Sequence, residues 1–175
     1  VKAQEETFDL KEEIEELLLS LSPTAGDNIA VIKEYDANGD FEMVADPTQV
    51  YQVLLNICTN ALQAMGDEPG TLTLGLVEQK RHEQDGLIIS IKDSGTGIEP
   101  SQLSQIFEPY FTTKKRSGGT GLGLALCHTL VKDLGGQIEV ESHLGEGTQF
   151  QVWLPKLKDN KDSKTSESLP TNNIR

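Results

Sequence analysis

The chain has 175 residues, 36% of them hydrophobic, and a formal net charge of −13. This length and composition are typical of a single domain with one core, since two independent domains of half the size would each be marginal. The acidity excludes general DNA or RNA binding, which needs a basic face, and no apolar run approaches the roughly 18 to 20 residues of a membrane helix.

The first predicted elements are one helix and two short strands. Large aliphatic residues recur at three- and four-residue spacing between Leu10 and Leu21, with Asp9 as a candidate cap, and this pattern predicts an amphipathic helix. Residues 28–35 and 40–44 are predicted as short strands around an Ala-Asn-Gly turn.

A second helix is predicted to begin at Asp46 and Pro47, as cap and first-turn proline, and to run to about Met65. A Gly-Asp-Glu-Pro-Gly segment ends it. Residues 71–79 and 87–92 then have the pattern of paired strands around a charged loop.

A third helix is predicted over 121–134, and strands at 137–142 and 148–154 form a closing hairpin. These elements indicate an α/β protein, a two-layer sandwich in which about three main helices cover one face of a mixed sheet. The predicted core residues are Val53, Leu54, Ile57, Ile89, Ile91, Leu126, Leu130, Ile138, Val140, Phe150 and Val152.

The domain is predicted over 8–155. Residues 1–7 are interpreted as the end of a preceding helical linker. Residues 156–175 are polar, with five bases and three acids, and are interpreted as a disordered linker or tail. Cys58 and Cys127 lie in helical patterns beside aliphatic residues, which favours buried reduced thiols and a cytoplasmic domain, although the full-length protein could be membrane-anchored.

One face of the second helix is polar but uncharged. It consists of Gln49, Gln52, Asn56, Thr59, Asn60 and Gln63. In a chain that is 25% charged, a water-facing stripe without Lys, Arg, Asp or Glu is atypical, and amide side chains suit a pocket for a metal-bound anion. By itself the pattern leaves a solvated face and a pocket as equal alternatives.

Asp93 ends an apolar strand and precedes a Ser-Gly-Thr-Gly-Ile segment. A carboxylate there can accept a hydrogen bond from an amine of a flat ligand, and glycines permit a close approach of the backbone. An ordinary turn is the other interpretation, and without further evidence it is the commoner outcome.

The segment 117–124 is rich in glycine and leads into the third helix. Unpaired amides at a helix N-terminus form a ready phosphate site. No Gly-Lys-Ser/Thr follows, so this is not a Walker loop. The neighbouring bases Lys114, Lys115 and Arg116 stand out because residues 1–155 carry a net charge of −15, although a solvated basic loop is the alternative.

Together these segments resemble the catalytic, ATP-binding domain of sensor histidine kinases, in a superfamily with type II topoisomerase, heat-shock 90 and mismatch-repair ATPases. Five motifs in the family's order carry the resemblance. They are similar to its asparagine box (NICTNA, 56–61), first glycine box (DSGTG, 93–97), phenylalanine box (IFEPYFTTK, 106–114), second glycine box (GTGLGLA, 119–125) and a further glycine box (GEGTQF, 145–150).

The resemblance implies a Bergerat-type ATP-binding fold in which side chains and amides of these boxes hold Mg-ATP. The implied nucleotide contacts are Asn60, Asp93, Gly95, Gly97, Ile98, Phe107, Gly119, Thr120, Gly121, Leu122, Gly123 and Thr148.

The resemblance also assigns roles within this set. Asn60 and Asn56 would hold Mg²⁺, Asp93 would bind the adenine amine with support from Thr148, and the second glycine box would meet the phosphates. Residues 107–118 would form a mobile lid that closes Lys114 over the triphosphate.

Asn56 and Lys114 are the implied catalytic residues. ATP-hydrolysing members of the superfamily carry a glutamate at the position of Asn56 as general base, and an amide cannot accept that proton. The implied function is therefore donation of the γ-phosphoryl group to a histidine on a dimerisation domain absent from this chain, with rate supplied by positioning and charge neutralisation.

The implied partners are that dimerisation domain and a response-regulator receiver. The full-length protein is expected to be a homodimer and this fragment a monomer, without nucleic acid or membrane contacts. The alternatives are a non-catalytic nucleotide-binding or docking module, and an ATPase or serine kinase of the same superfamily.

Two features depart from the family pattern. His82, His128 and His143 all lack the context of a phosphoacceptor, which is a histidine followed by an acid on a leading helix, and are interpreted as solvated or packed side chains. Gln63 and Ala64 stand where many members have a basic residue and an aromatic one, so Lys114 would have to supply a phosphate contact.

Overall fold

The computed structural model describes residues 3–112 and 121–157. Its elements in chain order are β1 (Glu6–Asp9), α1 (Leu10–Ala25), β2 (Ile29–Tyr35), β3 (Glu42–Ala45), α2 (Pro47–Met65), β4 (Gly70–Glu78), β5 (Gly86–Asp93), α3 (Pro100–Leu103), α4 (Gly123–Asp133), β6 (Gln137–His143) and β7 (Gly147–Pro155).

The main sheet has the strand order β2-β4-β5-β7-β6. The β2–β4 pair is parallel and the other three pairs are antiparallel. β1 and β3 form a separate two-stranded antiparallel sheet. The predicted mixed sheet and three main helices are confirmed, and the four-residue helix α3 is an addition.

Side chains alternate between the two faces of the main sheet, and the apolar ones show which face the helices cover. Leu74, Ile91, Phe150 and Val140 are successive cross-strand partners and belong to the core between sheet and helices. Trp153 has the opposite parity in β7 and is buried outside this core, where its Nε1 donates to the Gln79 carbonyl.

α1 and α2 begin where the sequence predicts, whereas the third main helix, predicted from Gly121, begins at Gly123. Asp9 caps α1 by accepting from the Lys11 amide at 2.8 Å. Asp46 caps α2 by accepting from the Thr48 amide at 2.9 Å, with Pro47 as the first helical residue. α2 packs against α1, α4 and the main sheet, so one of its faces is fixed in the core.

Strand pairing differs from the sequence interpretation in two places. β2 and β3 flank the predicted turn but do not pair with each other, since β2 pairs with β4 and β3 with β1. Glu6 and Thr7, assigned to a helical linker, lie in β1 opposite Ala45 and Val44. A four-residue strand carries little pattern of its own, because its partner supplies its stability.

Burial and the domain end also differ in detail. Leu126, predicted as core, is 44% exposed, because α4 turns Cys127 and Val131 inwards instead. Lys156, assigned to the tail, is part of the fold, since its carbonyl accepts from the Val44 amide at 2.8 Å and its amide donates to the Asp85 carbonyl at 2.9 Å. Residues 158–175 lie outside the described part of the chain.

Cys58 of α2 and Cys127 of α4 are free and buried. No helix in the described ranges is both long and apolar enough to cross a membrane.

Candidate functional site

A cavity of about 490 Å³ opens between α2, the end of β5, the start of β7 and the N-terminus of α4. Several residues predicted from the sequence line it together. They are Asn56, Asn60, Asp93, Gly97, Ile98, Gly121, Gly123 and Thr148. The asparagine, glycine and threonine positions of four separate motifs therefore share one cavity.

Other predicted residues do not line it. Phe107 packs instead on the core side, with its ring 5.4 Å from His128 and 6.3 Å from Phe150. Gly95 and Leu122 are next to lining residues but are not themselves part of the wall. Lys114, Gly119 and Thr120 lie outside the described residues.

The wall formed by α2 is the uncharged stripe. Asn56, Thr59, Asn60 and Gln63 line the cavity, so this geometry favours the pocket alternative over a solvated face. Gln52 lies one turn earlier and its Nε2 donates to Asn56 Oδ1 at 2.9 Å.

Asn56 also connects α2 to α4. Its Nδ2 donates to the carbonyl oxygen of Gly123, the first residue of α4, at 3.2 Å. The amide is thus held from both sides, which fixes its orientation at the edge of the cavity.

Asp93 forms the opposite end of the cavity. It is the last residue of β5, only 2% exposed, and its Oδ1 accepts from the Gly95 amide at 2.8 Å. Thr148, 5% exposed, is its direct cross-strand partner in β7. Asp93 is the only charged side chain among the described lining residues, so this end suits a ligand that donates hydrogen bonds.

The glycines after Asp93 are required by the close packing of the loop that contains them. A Cβ on Gly95 would lie 2.7 Å from the Ala64 carbonyl oxygen, and a Cβ on Gly97 would overlap the His143 carbonyl. Gly97 also has φ +71°, in the left-handed region. These glycines hold the loop closely against α2 and the β6–β7 hairpin.

Gly121 and Gly123 lead into α4 at the third side of the cavity. Leu122 is the N-cap residue and its side chain makes no capping hydrogen bond to the first turn of α4. Gly123, the first residue of α4, lines the cavity, so the positive end of the helix dipole lies at the cavity wall.

Further lining residues were not singled out as site residues from the sequence. They are Leu55, Thr59, Gln63, Ala64, Thr96, Ile106, Phe111, Thr112 and Leu124. The helical stripe already identified Thr59 and Gln63, whereas nothing in the phenylalanine box distinguishes the ring that faces the cavity, Phe111, from the ring that faces the core, Phe107.

None of the three histidines lies in the cavity wall. His82 and His143 are exposed in loop and hairpin positions, with His143 Nε2 3.4 Å from Glu141, and His128 packs on Phe107. The described site thus holds no histidine that could receive a group from a bound ligand.

A protein-family profile for "Histidine kinase-, DNA gyrase B-, and HSP90-like ATPase" matches residues 45–158, which include every described lining residue. Sensor histidine kinase ZraS of Salmonella typhi is 48% identical over 118 residues, which are 67% of this chain and 24% of ZraS. The chain thus spans about a quarter of the length of that curated relative.

Solved structures share the fold. The catalytic domain of histidine kinase ThkA superposes with a TM-score of 0.76 at 33% identity, over 88% of this chain and 97% of that domain. ThkA in complex with the response regulator protein TrrA matches with a TM-score of 0.70 at 30% identity, over 87% of this chain and 42% of that one.

Proposed function

The chain belongs to the family of histidine kinase-, DNA gyrase B- and HSP90-like ATPases, and on this premise we propose that it binds Mg-ATP and donates the γ-phosphoryl group to a histidine outside this chain. The acceptor histidine would lie on the dimerisation domain of a two-component sensor kinase. The curated relatives that support this proposal are named as sensor kinases.

One observation carries the proposal: three chemically different groups meet in a single cavity. An amide wall on α2, the buried carboxylate of Asp93 and the glycine turn before α4 all line it. The amides suit a metal-bound triphosphate, the carboxylate suits the amine of a base, and the helix N-terminus suits phosphate.

The residues present fit a magnesium ion that arrives with the nucleotide. Asn56 and Asn60 would hold it through side-chain oxygens, and Asn56 Oδ1 keeps a lone pair beside its hydrogen bond from Gln52. The described residues contain no group of three or more His, Cys, Asp or Glu able to hold a metal. When bound, the ion would neutralise phosphate charge, and phosphate oxygens and water would complete its shell.

The chain's own contribution to transfer is positioning. Asn56 cannot act as a general base towards water, because an amide does not take up a proton near neutral pH. ATP held by Asp93 at one end and by the α4 turn at the other would therefore present its γ-phosphoryl group to an outside nucleophile. Lys114 would close over the triphosphate as part of a lid spanning 107–118.

The proposed partners are the proteins that would receive the phosphoryl group. The domain would act on its own dimerisation domain and then, through the phosphohistidine, serve a response-regulator receiver. The complex of ThkA with TrrA supports the second partner. We further propose a cytoplasmic domain, monomeric as this fragment and homodimeric in the full-length protein.

Calorimetric titration with ATP, with and without Mg²⁺, tests the binding step. We expect Mg²⁺ to strengthen binding and Asp93→Ala to weaken it by about tenfold or more, since a charged hydrogen-bond acceptor is lost. Asp85→Ala is the matched control, because Asp85 is 77% exposed and far from the cavity wall. Binding that is absent, or equal in both variants, would contradict the proposal.

Phosphotransfer tests the chemical step. The full-length protein, incubated with γ-labelled ATP, should form an acid-labile phosphohistidine, and Asn56→Ala should abolish it. Rapid steady-state phosphate release without a phosphoprotein would identify an ATPase instead, and label on serine would identify a serine kinase.

A further inference from the structure

Ser142 lies directly behind the cavity without lining it. It is 8% exposed and is the cross-strand partner of Thr148. Its Oγ accepts from the Ile98 amide at 2.8 Å, and it lies 3.0 Å from the Gly147 carbonyl oxygen and 2.8 Å from Thr148 Oγ1. This hydroxyl joins the loop after β5 to the hairpin that carries Thr148.

A hydroxyl has one proton, and this decides the direction of the hydrogen bonds. If Ser142 donates to Thr148, the Thr148 proton is left without an acceptor among the described residues. If Ser142 donates to the Gly147 carbonyl, Thr148 can donate to Ser142 and both protons are satisfied. The second arrangement satisfies the Gly147 carbonyl and both hydroxyl protons within the protein, so it is favoured over one that leaves the Thr148 proton directed into the cavity.

We propose that Ser142 is a positioning residue that fixes the Thr148 hydroxyl as a hydrogen-bond acceptor towards the cavity, and thereby selects a base with an amino group over one with a keto group. The inference rests on the proposed nucleotide binding. Asp93 and Thr148 are direct cross-strand partners. The carboxylate of Asp93 and the hydroxyl of Thr148 would then both present lone pairs to the base. The amino group of an aminopurine can donate hydrogen bonds to these lone pairs. The keto oxygen at the same position of an oxopurine is itself an acceptor, so its lone pairs and theirs repel each other.

The ratio of the dissociation constants for Mg-ITP and Mg-ATP measures this selection. We expect Ser142→Ala to lower the ITP-to-ATP ratio by about fivefold to tenfold, because the released Thr148 hydroxyl can turn and donate to the keto oxygen. Ser90→Ala is the matched control, since Ser90 is a β5 serine on the far face of the same sheet, and it should leave the ratio unchanged. If Ser142→Ala does not fold, Ser142→Cys, with its weak thiol donor, carries the same expectation.

A Thr148→Val background separates positioning from a general loosening of the loop. If Ser142 acts through Thr148, Ser142→Ala should not change the ratio further in that background. An unchanged ratio in the single variant, including an equal weakening of both nucleotides, overturns the inference, as does the same fall in the Thr148→Val background. Wild-type protein that binds no ATP overturns the proposed function as well, whereas ATP binding with an unaffected ratio overturns this inference alone.

Discussion

The side-chain amide of Asn56 donates to the carbonyl oxygen of Gly123 at 3.2 Å, across 67 residues of sequence. Gln52 donates to the oxygen of the same amide at 2.9 Å. This side chain is therefore one of the polar contacts that join α4 to α2, together with Cys127 Sγ, which donates to the Val53 carbonyl oxygen at 3.5 Å.

Replacing Asn56 with alanine should weaken both stability and Mg-dependent binding. The variant leaves a Gln52 donor and a Gly123 acceptor without their partner, so we expect a loss of about 1 to 2 kcal/mol in the free energy of unfolding. Urea denaturation and calorimetry with ATP and Mg²⁺ measure the two effects.

Asn28→Ala is the control for that variant. Asn28 makes a comparable side-chain bond to the Asp67 carbonyl at 3.2 Å, but at an exposed site away from the cavity. We expect a change within about 0.5 kcal/mol and unaltered nucleotide binding. If both variants lost equal stability and equal nucleotide affinity, Asn56 would have no specific role in the site.

Gly97→Ala should be more damaging than Gly145→Ala. Both glycines have positive φ, +71° and +84°, so both substitutions strain the backbone by about 1 kcal/mol. Only at Gly97 would the new Cβ also overlap a neighbour, the His143 carbonyl, while Gly145 has nothing within 4 Å.

Urea denaturation should therefore show an additional loss of at least about 1 kcal/mol for Gly97→Ala, and ATP affinity should fall for that variant alone. If the two variants lose equal stability and both bind ATP normally, the close contact between this loop and the β6–β7 hairpin is not needed.

Stability should decline above about pH 9 through the two buried thiols. Burial raises the pKa of Cys58 and of Cys127 to about 12, above the ordinary value of 9.0. Between those values the unfolded chain has lost protons that the folded chain keeps, so the free energy of unfolding falls as pH rises.

We expect a loss on the order of 1 kcal/mol per thiol by pH 10, measured as the urea midpoint at pH 8 and pH 10. The double variant Cys58→Ala, Cys127→Ala is the control, and its stability should depend less steeply on pH although it is lower throughout. An identical pH dependence in both proteins would disprove this account.

The end of the domain can be located by truncation. A chain ending at Leu157 should be as stable as the full chain, whereas one ending at Pro155 loses the two backbone hydrogen bonds of Lys156 to Val44 and Asp85. We expect a difference of about 1 to 2 kcal/mol between the two truncations in urea denaturation. Equal stabilities would place the functional boundary at residue 155, as the sequence alone suggested.

The sequence predicts elements with strong local signals. Asp46 and Pro47 mark the start of α2 because capping and a fixed proline φ act within one turn. The uncharged stripe identified the α2 wall because helical periodicity alone places those side chains on one face.

Features that depend on distant partners are not predictable in this way. In α4, apolar residues occupy more than one face, and contact with α2 decides that Cys127 is buried while Leu126 is exposed. Ser142 could not be identified from the sequence either, because its contact with Thr148 forms only when β6 pairs with β7.

β2 is an edge strand, joined only to β4, whereas β5 is flanked by β4 and β7. Detaching β2 breaks one ladder and exposes few apolar side chains, while detaching β5 breaks two ladders and opens the core beside Asp93. We therefore expect the amide protons of β2 to exchange with solvent through partial opening, and those of β5 to exchange mainly when the whole fold unfolds. Asp93 thus lies at the end of an interior strand, where transient opening is expected to be rarer than at the edge of the sheet.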